Sequence, residues 1–264
     1  MSVYPAPSPA YLGPAVHTSG EHNKPIHRIV VHCTVSPCVA GGARATAAYF
    51  RTEKAGGSAH YVVDPGEVVQ AVYDSWIAWH APPNPNSLGV ELCDDLKNPA
   101  WDKANAHRWE DDDHSATLRR GARLVAELCL AYGVPAVRLT TADVKAGKRG
   151  ICGHVDVSRA FGESSHWDPG AAFPWDRFMG LVQGEVKNLK GGSNHLTVPL
   201  PRRGGKTPNV TAALSATTDK ARRRALVAVT RFGSAHAKLA AQRWIDALDA
   251  AEAAEAELAK SEGR

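Results

Sequence analysis

The chain opens its hydrophobic pattern with short β-branched runs and continues it with helical periodicity. Ile29, Val30 and Val31 form an unbroken apolar run that ends in the polar turn His32-Cys33-Thr34, which predicts a buried strand over residues 27–34. Gly41-Gly42 interrupts the chain, and residues 43–52 read as a helix with Ala47, Tyr49 and Phe50 as its apolar contacts. After a second break at Gly56-Gly57, residues 60–63 and 67–72 predict a hairpin around Asp64-Pro65-Gly66, where Pro and Gly supply the turn geometry. Residues 88–92 are a further strand. Leu118, Ala122, Val125, Leu128 and Cys129 recur with a 3.6-residue period, so residues 116–132 read as a helix capped by Ser115 and stopped by Gly133 and Pro135. Residues 137–139 suggest a short strand. Between them, residues 94–114 are polar and acidic around Trp101 and Trp109 and read as a long surface loop. Strands alternating with helices predict an α/β fold, a central sheet flanked by helices.

The ends read differently. Residues 1–24 carry four prolines and are expected to be an extended arm; residues 25–184 hold the globular pattern. Residues 185–213, with Lys190-Gly191-Gly192-Ser193 and a Pro-rich run, predict a linker. Residues 214–264 are rich in Ala, Glu, Lys, Arg and Leu and predict a helical C-terminal appendage. Its sparse apolar stripe (Leu239, Ile245, Leu248, Leu258) leaves open a role in binding an envelope or in self-association, beside that of a solvated helix.

The formal net charge of the 264 residues is +4, too small to argue for nucleic acid. It is uneven: from residue 185 onward 14 Lys/Arg face 8 Asp/Glu, a net +6 that suits an anionic partner, which leaves −2 for the rest. The five cysteines have neither CxxC nor secreted-scaffold spacing, so buried thiols in a reducing compartment are expected. Cys33 and Cys152 adjoin stronger histidine ligands. Residues 1–23 lack the charged and apolar regions of a secretory leader, and no run is long and apolar enough to span a bilayer.

The chemistry gathers in two segments. Gly153-His154-Val155-Asp156-Val157-Ser158 and His166-Trp167-Asp168-Pro169-Gly170 set an imidazole and a carboxylate either side of a short connection that reads as a surface loop. The strand over 27–34 delivers His32 at its end. His32, His154 and Asp168 make a three-ligand set suited to a catalytic zinc, because three protein ligands leave a fourth position open to water.

These segments, with Ser58-Ala59-His60-Tyr61, Ala78-Trp79-His80-Ala81 and Asn86-Ser87-Leu88-Gly89-Val90-Glu91-Leu92, occur in an order that resembles the type-2 zinc-dependent N-acetylmuramoyl-L-alanine amidases of phage endolysins, bacterial autolysins and peptidoglycan-recognition proteins. The likeness covers roughly residues 25–180. It implies a mixed central sheet, Zn2+ as cofactor on His32, His154 and Asp168, peptidoglycan as substrate, and hydrolysis of the amide between N-acetylmuramic acid and L-Ala. It implies Glu91 as general base, at a strand end where apolar neighbours raise its pKa. His166, where relatives carry Lys or Thr, takes the oxyanion-stabilising role, and His80, Trp79 and Tyr61 are expected to contact substrate. Ala59 stands where another phage branch has a catalytic Tyr. Without a leader, such an enzyme is expected to stay in the host cytoplasm until the membrane is breached, as a phage lysis enzyme would. The alternative is a non-catalytic peptidoglycan-binding module on the same fold. His-Glu-x-x-His, the signature of a common zinc peptidase class, does not occur.

Overall fold

A computed structural model of the chain describes residues 9–191. Along these residues run β1 (Ala10–Tyr11), β2 (Thr18–Glu21), β3 (Arg28–Cys33), α1 (Gly42–Tyr49), β4 (Tyr61–Val63), β5 (Val68–Gln70), β6 (Trp76–Ala78), β7 (Ser87–Leu92), α2 (Pro99–Ala104), α3 (Asp112–Tyr132), α4 (Thr141–Lys145), β8 (Gly150–Gly153), α5 (His154–Phe161) and α6 (Trp175–Gly191). Six strands form a mixed sheet in the order β1-β5-β4-β7-β3-β8, and β2 pairs with β6 in a separate ribbon. The run β4-β7-β3-β8 is parallel; β5 is antiparallel to β4. The expected hairpin over residues 60–72 is thus present.

All six residues of β3 are buried, as a central parallel strand covered on both faces demands. Its alternate residues serve two cores. Ile29, Val31 and Cys33 join Leu88, Val90 and Leu92 of β7 under α3 and α6. Val30 faces the other way, onto Cys152, Val144 and Val157 beneath α4 and α5. The apolar stripe of α3 (Leu118, Val125, Leu128) is buried as its period predicted; each such side chain contributes about 1.5–3 kcal/mol on leaving water. Gly121 lets this helix settle onto the sheet, since a Cβ there would stand 2.5 Å from Leu92 Cδ2. The five cysteines are free and buried. No helix among the described residues is long and apolar enough to cross a membrane.

Several expectations are corrected. Residues 10–21 are not a detached arm: β1 extends the sheet by parallel pairing with β5, and β2 pairs with β6. Residues 94–114 are not a surface loop. They contain α2 and a 3-10 helix, Ala106–Glu110, that buries Trp109 and the guanidinium of Arg108 between Asp94 and Asp102, at 2.8 Å from each. Asp111, not Ser115, caps α3, accepting the His114 N–H at 2.8 Å. Residues 153–158 are not a loop: His154 begins α5, and the Asp156 carboxylate accepts the Gly153 N–H at 2.9 Å to stabilise the helix start. Helix α6 runs past the boundary expected at 184, because Val186 and Leu189 still pack against the core. The rest of the expected linker and the expected helical C-terminal region lie outside the described residues.

Candidate metal centre

Parallel strands end on the same edge of a sheet, and side groups that act on ligands collect there. His32 lies near the carboxyl end of β3, Glu91 near that of β7, and His154 directly follows β8. Asp168 arrives from the segment between α5 and α6. Its two oxygens face two imidazoles: Oδ2 lies 2.9 Å from His32 Nδ1 and Oδ1 lies 3.2 Å from His154 Nδ1. One donor atom from each of the three residues falls within 4.8 Å of the others. The sequence-predicted ligand set therefore converges, all from separate elements.

The donor set fits a zinc ion. Lone-pair-bearing atoms held this close, out of water, need a proton or a cation between them. Two imidazoles and a carboxylate, each with a donor atom within 4.8 Å of the others, are ligand types that zinc takes. The electrostatics agree. Burial alone would lower the His32 imidazole, but the Asp168 hydrogen bond and the charges of Glu91 and Asp168 raise it. Burial would raise Asp168, yet hydrogen bonds from His154, His166 and His32 hold it well below the usual carboxylate range. Burial, helped by the His32 charge and opposed by Asp168, depresses His154 to about 4, which leaves a neutral ring with a free lone pair.

Both candidate ligand rings have a further partner on their other nitrogen. His32 Nε2 lies 3.1 Å from His80 Nδ1, and His154 Nε2 lies 3.3 Å from Ser164 Oγ. Ser164 lies in turn 2.6 Å from Ser158 Oγ. Asp156 takes no part in the donor set; Arg138 pairs with it at 2.6 Å and lies over the Trp175 ring. Sequence reasoning named none of the tethers, because nothing local marks a serine ten residues away as a histidine's partner.

The donors open onto a cleft of about 910 Å³, lined among others by Trp79, Glu91, His166 and Lys97. Glu91 is half-buried, and its Oε2 is enclosed with no hydrogen-bond partner. Burial pushes its carboxyl up to about 7, with Asp168 adding to the rise and His32 and His166 opposing it. His166 stands at the mouth, its side chain 66% exposed, stacked 4.5 Å from the His154 ring. The Asp168 hydrogen bond raises its pKa. Trp79 is 43% exposed on the cleft wall, stacked on His17 with its indole N–H donating to Ser19.

Two expected substrate contacts differ. Tyr61 does not reach the cleft: it is 5% exposed in the main core, and its hydroxyl donates to Asp74 at 2.6 Å. Its place on β4 turns it toward the α3 face, opposite to that of Glu91. His80 borders the cleft but has both ring nitrogens engaged inside the protein, one with His32 and the other with Ser87 Oγ at 3.1 Å.

A family profile described as N-acetylmuramoyl-L-alanine amidase matches residues 22–171, more than half of the chain. Among curated proteins, the chain is 28% identical over 178 residues to a probable N-acetylmuramoyl-L-alanine amidase of Bacillus licheniformis, a match spanning 61% of this chain and 40% of that one. It is 27% identical over 154 residues to N-acetylmuramoyl-L-alanine amidase A of Achromobacter lyticus, spanning 55% and 76%. The chain thus matches well under half the length of the first of these relatives. Among solved structures, the Staphylococcus aureus hydrolase AmiA, determined with its ligand, superposes with a TM-score of 0.55 at 18% identity, covering 71% of this chain and 87% of that one. That likeness is one of fold.

Proposed function

The chain belongs to the N-acetylmuramoyl-L-alanine amidase family, and from that premise we propose that it is a zinc-dependent hydrolase of peptidoglycan, cleaving the amide between N-acetylmuramic acid and the L-Ala of the stem peptide. One observation carries the reading: His32, His154 and Asp168 converge at an open cleft beside Glu91, a half-buried carboxylate whose Oε2 is enclosed without a partner. A complete donor set counts against the binding-only alternative.

When bound on these three residues, zinc supplies Lewis acidity toward the amide carbonyl and makes water acidic near neutral pH. The protein's own groups supply the rest. Glu91, raised to about 7, takes a proton from the attacking water and returns it to the departing amine nitrogen. His166 at the mouth offers an N–H to the oxygen on which negative charge builds. Trp79 presents an aromatic face to the substrate at the cleft wall.

The test is digestion of purified cell walls followed by mass spectrometry, with and without a chelator. Release of free stem peptides beginning with L-Ala, abolished by chelation and restored by zinc, is expected. Intact walls, or cleavage indifferent to chelator, would overturn the proposal. A role in phage lysis belongs to the same proposal; expression in a bacterium is expected to lyse the culture only when a membrane-permeabilising protein is co-expressed.

A further inference from the structure

We propose that His80 is a positioning residue for the metal centre, fixing the ring of His32 through a one-directional hydrogen-bond chain that ends on the backbone. The proposal rests on the zinc reading above. His32 turns Nδ1 toward Asp168, so a neutral ring that ligates through Nδ1 carries its proton on Nε2. That Nε2 lies 3.1 Å from His80 Nδ1, which must then accept. His80 in turn carries its proton on Nε2, 3.1 Å from Ser87 Oγ. The Ser87 hydroxyl donates onward to the Asn84 carbonyl at 2.8 Å. His80 and Ser87 between the two ends each accept once and donate once. A carbonyl cannot donate, so the far end sets the same direction as the ligand end.

The surroundings hold His80 in this role. Gly89 of β7 lies directly beneath the ring, and a Cβ there would stand 2.7 Å from His80 Cγ. The absence of a side chain at Gly89 is thus what admits the imidazole to the sheet face that also carries His32 and Glu91. The backbone under the ring is fixed as well: the Asn84 side-chain oxygen accepts the N–H of His80 at 3.0 Å and of Ala81 at 2.8 Å. His80 is 6% exposed and has no nitrogen left for substrate. The tether on the other ligand is slighter, a single hydroxyl at 3.3 Å from His154. Partners behind a metal-bound histidine set its tautomer and orientation, and losing one typically costs 10–100-fold in metal affinity.

The experiment uses the full chain as wild type, His80→Ala, His80→Asn and Ser87→Ala. Zinc affinity is measured by competition with a chromophoric chelator, and the visible spectrum of the cobalt-substituted protein reports ligand geometry. His80→Ala is expected to weaken zinc binding by about 10–100-fold and to shift the cobalt bands. His80→Asn, whose Oδ1 stands where Nδ1 stood, is expected to recover most of that loss; a merely structural role for the ring predicts no such rescue. Wild-type affinity and an unshifted cobalt spectrum in His80→Ala overturn the proposal, whatever its turnover. If His80→Ala fails to fold, Ser87→Ala decides: it leaves the His80 proton without its acceptor, so weakened zinc binding supports the chain and unchanged binding sinks it. A wild type that takes up no zinc would instead defeat the zinc reading itself, separately recognisable because no variant is needed to see it.

Discussion

His32 and Glu91 are register partners: the parallel pairing of β3 with β7 sets a metal-ligand candidate and the candidate base side by side on one sheet face. The pairing explains a conflict within the site. Glu91 must be buried enough to be a base near neutrality, and the same burial makes its charged form unfavourable. Its folded pKa, about 7, lies above the ordinary 4.5, so the folded state holds the proton more tightly. That contribution to stability is complete below about pH 4.5 and is lost as pH rises through 7. Glu91→Gln is therefore expected to stabilise the chelator-treated protein at pH 8, by up to about 3 kcal/mol, and hardly at all at pH 4.5. The same variant is expected to retain zinc and lose about 10²–10⁴-fold in amide cleavage. Thermal melts at the two pH values and a turnover assay check both halves; full turnover in the variant would remove Glu91 from the mechanism.

Asp168 balances two buried imidazoles at once. Asp168→Ala and His32→Ala are each expected to reduce zinc content to background and abolish cleavage, read by plasma mass spectrometry on purified protein. Stoichiometric zinc in either variant would mean that the ion binds elsewhere.

His166 is the exposed member of the histidine group, stacked on His154 at the cleft mouth. His166→Ala is expected to keep zinc and the melting temperature while kcat drops by about 10²-fold, with KM little changed, as for loss of a donor to a developing oxyanion. A rise in KM with kcat intact would assign His166 to ground-state binding instead.

Arg108 links the interior to the segment that carries Asp168. It pairs with Asp94 and Asp102, and the second oxygen of Asp102 accepts the Ala172 N–H at 2.9 Å, four residues beyond Asp168. Arg108→Ala is expected to destabilise the fold by about 3–5 kcal/mol, since it strands two buried carboxylates. Urea unfolding measures the loss, and a parallel fall in zinc affinity would register loosening of the segment that carries Asp168.

What the sequence revealed follows from how locally each feature is encoded. β3 was legible because the run Ile29-Val30-Val31 puts apolar side chains on both of its faces, and Glu91 because it lies near the end of a strand whose neighbours are apolar too. The convergence of His32, His154 and Asp168 came from a family-wide order of segments, not from any local period. The 94–114 stretch misled because what buries it is an arginine between two aspartates and a single tryptophan, none of which produces a periodic signal. Eight residues of α5 are too few to display a helical face against flanking glycines, and β8 hides its strand character behind Gly150 and Gly153. The tether from His32 through His80 to Ser87 joins neighbours in space across the sheet, and only coordinates reveal it.

The family match begins at residue 22, yet β1 and β2 precede it, and α6 continues to Gly191, well past the match's end at 171. Trimming the polypeptide to the matched span would bare the outer rim of β5, inviting strand-to-strand aggregation, and would take His17 and Ser19 away from Trp79. It would also pull Phe178 and Val182 out of the interior. The smallest piece of this polypeptide worth expressing is therefore wider on both sides than its homology suggests.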